Sequence, residues 1–128
     1  MAAQKRQTET ALQMAVVRWM RQNADRWPCA RWMFHAANEG KCDPREAGKR
    51  QSMGVVAGIS DLILLARSGP YSGLCLELKR KPNKLTAEQR EFFDYVETQG
   101  YKTAVAYTLE EAQAVITHYL QGEMEGAG

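Results

Sequence analysis

The sequence has no long hydrophobic run: no segment approaches the roughly 18 apolar residues that a membrane-spanning helix needs. Its first six residues carry charges with no apolar stretch after them, which excludes the pattern of a secretory signal peptide. Internal repeats and low-complexity linkers are also missing. These absences favour one cytoplasmic globular domain over residues 1–128, with a core from about 8 to 121 and a frayed tail at 122–128.

Cysteine is scarce, and the count of three is odd. Without a secretion signal, Cys29, Cys42 and Cys75 are typical of reduced thiols rather than of a disulfide framework. A zinc site formed by Cys29, His35 and Cys42 is the alternative, but the spacing fits no usual ligand pattern and a fourth ligand is missing. The sequence therefore favours free thiols.

Charge is divided unevenly along the chain. Residues 1–84 contain 15 Lys and Arg against 7 Asp and Glu, whereas residues 85–128 contain 2 against 8, and the net charge is +2. A basic first part is typical of a protein that faces a polyanion such as nucleic acid, and an acidic end suits exposure to solvent. A chance scatter of surface charges explains the same numbers, so this asymmetry does not decide the function alone.

Helix and strand signals alternate along the chain. Pro44 after Asp43 marks a helix start, and capping-box patterns at Thr86 and Thr108 open two more helices. The turn-forming segment 67–73 joins two apolar runs and predicts an antiparallel hairpin. The expected elements are helix 8–23, strand 31–36, helix 43–54, strands 59–66 and 74–79, helix 86–99, strand 101–107 and helix 108–121. This α-β-α-β-β-α-β-α order predicts an α/β domain with a mixed central sheet and helices on both faces.

Charged residues interrupt the two strands of the hairpin. Asp61 opens a run that otherwise has the character of a buried strand, and a buried charge needs a partner because desolvation costs several kcal/mol. Glu77 and Lys79 are two residues apart in the next strand, so both side chains project from one face. If the strands pair across the turn, Asp61 comes beside Glu77.

Two adjacent carboxylates repel each other unless a cation lies between them. Hard oxygen ligands with retained water suit Mg²⁺, so Asp61 and Glu77 are candidate ligands of Mg²⁺ or Mn²⁺. Lys79 would orient a metal-bound water or neutralise charge in a phosphoryl transition state. Spacing alone leaves a second interpretation equally open: a Glu–Lys pair on a solvated strand face, with Asp61 as a turn residue.

Two neighbouring features favour the first interpretation. Gly54 and Gly58 bracket a small apolar run before Asp61, which indicates a backbone that passes close to another element, although a loop with two flexible joints is equally consistent. Gln89, in the first turn of the helix after Lys79, either completes the capping box or binds a phosphate or water. We expect it to do only one of these.

The segments around these residues resemble the virus-type replication-repair nuclease (VRR-NUC) domain, a branch of the PD-(D/E)XK nuclease superfamily with a restriction-endonuclease-like core. Each matching segment is weakly specific, but their order and spacing together are quite specific. The match extends from about residue 8 to 120. The matching segments are 34–40, 54–65, 76–80, 85–89 and the strand 100–105.

The resemblance implies roles for individual residues. Asp61 and Glu77 would be metal ligands together with the backbone carbonyl of Leu78, Lys79 the catalytic lysine, and Gln89 the glutamine that follows in this family. Glu9 matches an acidic residue that reaches the metal in related resolvases.

Other positions of the family pattern are matched less firmly. Ser60 departs from the pattern, because the superfamily has proline there. His35, Asn38 and Glu39 match the family pattern as secondary candidates, though a lone histidine on a strand is more often structural.

What the resemblance implies about function is metal-dependent hydrolysis of phosphodiester bonds. Stand-alone domains of this kind, similar to phage-encoded members, resemble homodimers that cut branched DNA such as four-way (Holliday) junctions. Cutting of flaps, single strands or duplex is one alternative, and a non-catalytic nucleic-acid-binding module is another. Aromatic and apolar residues such as Trp19, Trp27, Trp32 and Met33 either contact a second copy or belong to the core. The expected phosphate contacts are Lys5, Arg6, Lys41, Arg45, Lys49, Arg50, Arg80, Lys81 and Lys84.

Overall fold

The computed structural model describes residues 2–36 and 44–122. The helices are α1 at Ala2–Gln22, α2 at Pro44–Ser52, α3 at Ala87–Thr98 and α4 at Leu109–Leu120, with a 3-10 helix at Pro28–Trp32. The strands are β1 at Met33–Phe34, β2 at Leu62–Leu64, β3 at Gly73–Leu78 and β4 at Tyr101–Ala106. The predicted α-β-α-β-β-α-β-α order is confirmed.

The four strands form one mixed sheet in the order β1-β2-β3-β4. β1 pairs with β2 and β2 with β3 in antiparallel fashion, so the predicted hairpin is present. β3 and β4 are parallel, because α3 carries the chain back across the sheet between them.

The two faces of the sheet are covered by different helices. Along β3, Leu74, Leu76 and Leu78 pack with α1 and α4, whereas Cys75 packs with α3. The predicted helices on both faces are therefore confirmed. The helical residues buried in these two clusters are Val16, Met20, Ala112, Ile116 and Tyr119 on one side and Phe93 and Val96 on the other.

Some element boundaries differ from those predicted. α1 begins at Ala2 rather than at residue 8, and β1 is two residues long because Pro28 opens a 3-10 helix that occupies the predicted start of that strand. Trp27 and Met33 are core residues and Trp19 packs against the core, whereas Trp32 is 51% exposed. Of these four residues, therefore, only Trp32 is left on the surface for a contact with another molecule.

Several predicted features lie outside the described residues. They are Asn38, Glu39, Lys41, Cys42, the helix cap at Asp43, and the tail from residue 123 onward. Among the helices that are described, none is both long enough and apolar enough to cross a membrane.

The loop before Asp61 lies against the first turn of α3. Gly58 has φ +87°, and a Cβ atom there would be 2.7 Å from the backbone carbonyl carbon and oxygen of Glu88. Gly54 also has positive φ, at +95°, but open space around it. The predicted close approach to another element is therefore confirmed at Gly58, which lies against the backbone of Glu88. Gly54 makes no such approach and lies in the turn that follows α2.

We expect Gly58→Ala to destabilise the protein by roughly 3 kcal/mol, because both the backbone conformation and the contact with Glu88 oppose a side chain. Gly54→Ala is the matched control and should cost about 1 kcal/mol, since only its conformation is unfavourable. Urea denaturation of the two variants measures the difference. Equal losses would show that the loop does not depend on contact with α3.

Candidate active site

Asp61 and Glu77 are neighbours on adjacent strands. β2 and β3 pair with Leu62 opposite Leu76. The same register places Asp61, the residue before β2 begins, opposite Glu77. The backbone N–H of Asp61 donates to Oε1 of Glu77 at 3.3 Å, and the N–H of Leu78 donates to Oδ2 of Asp61 at 2.8 Å. The Asp61 carboxylate thus replaces a strand backbone as the partner of β3, so β2 begins at Leu62 rather than at the predicted residue 59. It also ends at Leu64 rather than at residue 66.

Ser60 fixes the backbone where the chain enters β2. Its side chain is 1% exposed, and its hydroxyl donates to the carbonyl of Leu62 at 3.3 Å. Proline would restrict this backbone through its ring, and Ser60 does so through a hydrogen bond. The departure from the superfamily pattern is therefore compatible with a fixed Asp61.

Glu77 is the buried carboxylate of the site, with 3% of its surface exposed. Burial first, and then the negative charge of Asp61, raise its pKa to about 8, while the ammonium of Lys79 acts in the opposite direction. Lys79 Nζ lies 3.9 Å from Glu77 Oε2, and the two side chains are only 12% and 4% exposed. This is not the solvated Glu–Lys pair of the alternative interpretation, because neither group is surrounded by water.

Gln89 links the capping box to the site. Its side-chain Oε1 accepts from the backbone N–H of Thr86 at 2.9 Å, and its backbone N–H donates to the Thr86 hydroxyl at 3.1 Å. Its Nε2 donates to Oε2 of Glu77 at 3.1 Å. Of the two expected roles, the structure shows the capping box, and it adds a contact that was not expected: the Gln89 amide caps α3 with its oxygen and holds the buried carboxylate with its nitrogen.

The two carboxylates form a donor set that fits a small, hard cation. A divalent cation there would offset both the burial of Glu77 and its repulsion by Asp61. The N–H of Leu78 donates to the Asp61 carboxylate. Because the N–H and C=O of one strand residue point to the same edge, the Leu78 carbonyl is on the side of the two carboxylates. Within residues 2–36 and 44–122, no three His, Cys, Asp or Glu side chains form a metal-holding group. Two carboxylates are by themselves a ligand number that Mg²⁺ accepts, because it completes its coordination with water and substrate oxygens.

Glu9 lies at the end of β3, where its Oε2 accepts from the backbone N–H of Arg80 at 3.1 Å. This bond joins α1 to the chain directly after Lys79. Glu9 is thus near the site, but the contact that the structure shows is with the backbone and not with Asp61 or Glu77.

His35 contacts the site from β1. Its Nδ1 lies 2.7 Å from the backbone carbonyl of Asp61, so the ring donates a hydrogen bond there from an exposed position just after the strand ends. β1 ends at Phe34, and the His35 side chain continues the contact with the chain that enters β2. No local pattern predicts this bond, since it joins a side chain to a carbonyl 26 residues away.

The predicted phosphate contacts that are described belong to three segments. Lys5 and Arg6 are in the first turns of α1. Arg45, Lys49 and Arg50 are in α2. Arg80, Lys81 and Lys84 directly follow Lys79, and Lys81 lies over the ring of Tyr107 at 5.7 Å. The segment of Arg80, Lys81 and Lys84 therefore adjoins the carboxylates in sequence.

Comparisons with known proteins agree with this geometry. The family model of the VRR-NUC domain matches residues 7–109. A solved structure described as a VRR_NUC domain protein is similar over 94% of this chain and 94% of that chain, at 29% identity and a TM-score of 0.74. No curated protein matches. The family match covers most of the chain and places it in a class of nuclease domains. This chain belongs to the VRR-NUC family.

We expect metal-free protein to lose stability as pH rises from about 5 to 8. Folded Glu77 keeps its proton to about pH 8, whereas an unfolded glutamate releases it near 4.5. The folded state therefore binds more protons in this window, and stability falls by at most about 1.4 kcal/mol per pH unit. Glu77→Gln removes this component. Urea denaturation in EDTA at several pH values checks it, and identical pH profiles for both proteins would contradict it.

We expect His35→Ala to lower the free energy of unfolding by about 1 kcal/mol, the usual contribution of a hydrogen bond. His35→Asn should recover part of this loss, because the Asn amide can donate from nearly the same position as Nδ1. Thermal denaturation of both variants measures the effect. Equal loss in His35→Asn and His35→Ala would show that the bond to Asp61 is unimportant.

Proposed function

We propose that this VRR-NUC protein is a metal-dependent endonuclease that hydrolyses phosphodiester bonds in branched DNA such as four-way junctions, acting as a homodimer. The observation that carries the catalytic part is the buried pair Asp61 and Glu77 with Lys79 and Gln89 around it. Membership of the nuclease family and the basic segment after Lys79 support DNA as the substrate. Two copies related by a twofold axis suit a substrate with two equivalent scissile phosphates.

Mg²⁺ or Mn²⁺ bound between Asp61 and Glu77 would supply a Lewis acid and a water of lowered pKa. Asp61 and Glu77 would hold the ion, with the carbonyl of Leu78 as a further candidate ligand. Glu9 would join them only by leaving its bond to the Arg80 N–H. Gln89 fixes Glu77 through its amide so that the carboxylate keeps one orientation. The Asp61 backbone is held by His35 on one side and its carboxylate by β3 on the other.

Lys79 provides the positive charge of the site. It is 12% exposed and lies 3.9 Å from Glu77, so its ammonium is held near the reacting phosphate rather than in bulk water. In that position it orients the attacking water or stabilises charge that develops on the phosphate oxygens. Arg80, Lys81 and Lys84 would bind the neighbouring backbone phosphates, which makes binding strongly salt-dependent.

A non-catalytic binding module explains this arrangement less well. DNA binding needs exposed basic side chains, whereas Glu77 is an acidic group buried at a cost in free energy. Retaining such a group is reasonable when it holds a cation. The same geometry is compatible with cutting of flaps, single strands or duplex, so the substrate has to be decided by experiment.

We expect Asp61→Asn, Glu77→Gln and Lys79→Ala each to lower the cleavage rate at least about 100-fold, while junction binding stays within a few-fold of wild type. Each variant removes either a carboxylate that would hold the metal or the ammonium that would act on the reacting phosphate, and none removes a predicted contact with the neighbouring backbone phosphates. Glu110→Gln, an exposed carboxylate on α4, is the control and should cut normally. Cleavage of labelled four-way junctions, flaps, single strands and duplex in Mg²⁺ or Mn²⁺, with EDTA blanks, measures both rate and preference.

The outcomes separate the candidate functions. Paired symmetric nicks in junctions that require the metal support the proposal. Faster cutting of flaps or duplex would change the proposed substrate but would leave the proposed metal-dependent hydrolysis in place. Tight binding with no cleavage in either metal contradicts the enzymatic proposal, and normal cleavage by Lys79→Ala contradicts the role of that lysine.

A further inference from the structure

Arginines gather at the end of the molecule that lies away from the two carboxylates. Segments 16–34 and 65–73 contain five arginines and no lysine, and their single acidic residue is Asp25. All five arginines are exposed. We call them the arginine surface: Arg18, Arg21, Arg26, Arg31 and Arg67.

The end of α1 is fixed against the segment that follows it. The Arg21 guanidinium donates to the carbonyl of Ala30 in the 3-10 helix, and it also donates to the carbonyl of Met33 in β1 at 2.8 Å. Arg18 lies on the same side of α1, because residues three apart in a helix are neighbours. The arginines of α1 therefore adjoin Arg31, the residue next to Ala30.

Arg67 adjoins the other arginines from the neighbouring strand. The carbonyl of Trp32 accepts from the N–H of Leu65 at 3.1 Å, so the chain before β1 lies beside the chain after β2. Because β1 and β2 are antiparallel, the opposite ends of these strands carry His35 and Asp61. The arginine surface and the candidate active site are therefore at opposite ends of the sheet.

Two of the guanidinium groups lie over indole rings. Arg26 is 4.4 Å from the centre of the Trp27 ring, and Arg31 is 4.8 Å from the centre of the Trp32 ring. Such stacking involves the face of a guanidinium, whereas its N–H groups lie in its plane and form the fork that fits a phosphate. Arg31, on a ring that is itself exposed, is thus held at the surface where it can donate to phosphate oxygens.

The dipole of α1 explains only part of this arrangement. Cations are favourable near the last turn of a helix, which suits Arg18 and Arg21. Arg67 belongs to the loop after β2, and Arg31 belongs to a 3-10 helix of 5 residues, which is too short for a strong dipole. Five arginines beside one acidic residue form a basic patch, and such a patch is complementary to a polyanion.

Two paths through the fold give similar distances from the arginine surface to the carboxylates. Glu9 accepts a hydrogen bond from the chain beside the site, and the helical rise from Glu9 to Arg21 is roughly 18 Å. His35 contacts the Asp61 carbonyl, and the chain from Arg31 to His35 spans at most roughly 13 Å. Since B-DNA rises about 3.4 Å per base pair, these lengths correspond to roughly four to five base pairs.

We propose that the arginine surface binds the phosphate backbone of a double-stranded DNA arm, roughly four to five base pairs from the phosphate that is cut. The inference rests on the proposed function and deepens it, since it assigns a second contact to the DNA arm. Arg80, Lys81 and Lys84 hold the backbone next to the cut, and the arginine surface holds the same arm farther along. A duplex is stiff over this length, so two contacts at a fixed separation orient the arm relative to the carboxylates.

Binding to a labelled four-way junction in EDTA tests the proposal without cleavage. We expect Arg18→Gln, Arg31→Gln and Arg67→Gln each to lower the slope of log affinity against log salt by about 0.9, and the triple variant to lower it by about 2 to 3. The triple variant should also bind at least about 10-fold more weakly at about 0.1 M salt. Arg21 is kept, because its two bonds to backbone carbonyls stabilise the fold.

Lys102→Gln is the matched control. Lys102 is at the same end of the sheet but on β4, and its ammonium lies 5.7 Å from the centre of the Tyr71 ring. Among the described strands, β4 is the edge of the sheet opposite to β1. The variant removes one positive charge there and should keep the wild-type slope. Circular dichroism of every variant separates a loss of binding from a loss of the fold.

Neutral methylphosphonate linkages, placed in turn along one arm of the junction, locate the contact. A neutral linkage opposite the arginine surface should weaken binding by the wild-type protein but not by the triple variant, because the triple variant has already lost that contact. The linkages opposite Lys81 and Lys84 are identified in the same way with Lys81→Gln and Lys84→Gln. We expect the two groups of positions to be roughly four to five base pairs apart. Coinciding groups would overturn the second contact.

The outcomes distinguish this inference from the proposed function. An unchanged salt slope in the triple variant of a protein that cuts DNA overturns the inference alone. Loss of the distant contact in a protein that binds but never cuts DNA supports the inference and contradicts the nuclease activity. A wild-type protein that binds no DNA contradicts both.

Discussion

The pairing of Asp61 with Glu77 at the end of two antiparallel strands is the constraint on which the rest of the site depends. One carboxylate replaces a strand backbone by accepting from Leu78, and the other is buried, with its pKa raised to about 8. Keeping two acidic groups together at such a place opposes folding, and the surroundings offset this with the Lys79 ammonium, the Gln89 amide and the close packing at Gly58. These contacts explain why three different elements converge on this point.

The element order, the hairpin and the two-sided sheet were predictable because hydrophobic period, capping boxes and turn residues are local signals. The proximity of Asp61 and Glu77 followed from the same pattern, since antiparallel pairing across a turn leaves few registers. The length of β1 was not predictable, because Pro28 opens a 3-10 helix whose extent depends on packing. Residues 37–43, which include Asn38, Glu39 and Asp43, lie outside the described residues, so their predicted roles stay predictions.

Contacts between distant parts of the chain carry no local signal, and they account for what the sequence did not reveal. The bond from His35 to the Asp61 carbonyl joins residues 26 positions apart, and the bond from Glu9 to Arg80 joins residues 71 apart. Gln89 was placed correctly in the capping box, but its second partner is on β3, so its double role needed the three-dimensional structure.

The central claim is that Asp61 and Glu77 bind a divalent cation together. Calorimetric titration of Mn²⁺ into the metal-free protein, beside Asp61→Asn and Glu77→Gln, tests it most directly. The account predicts binding by the wild-type protein and loss of that binding in both variants, because neither carboxylate alone provides the site. Unchanged Mn²⁺ affinity in the two variants, or no binding by the wild-type protein, would contradict it.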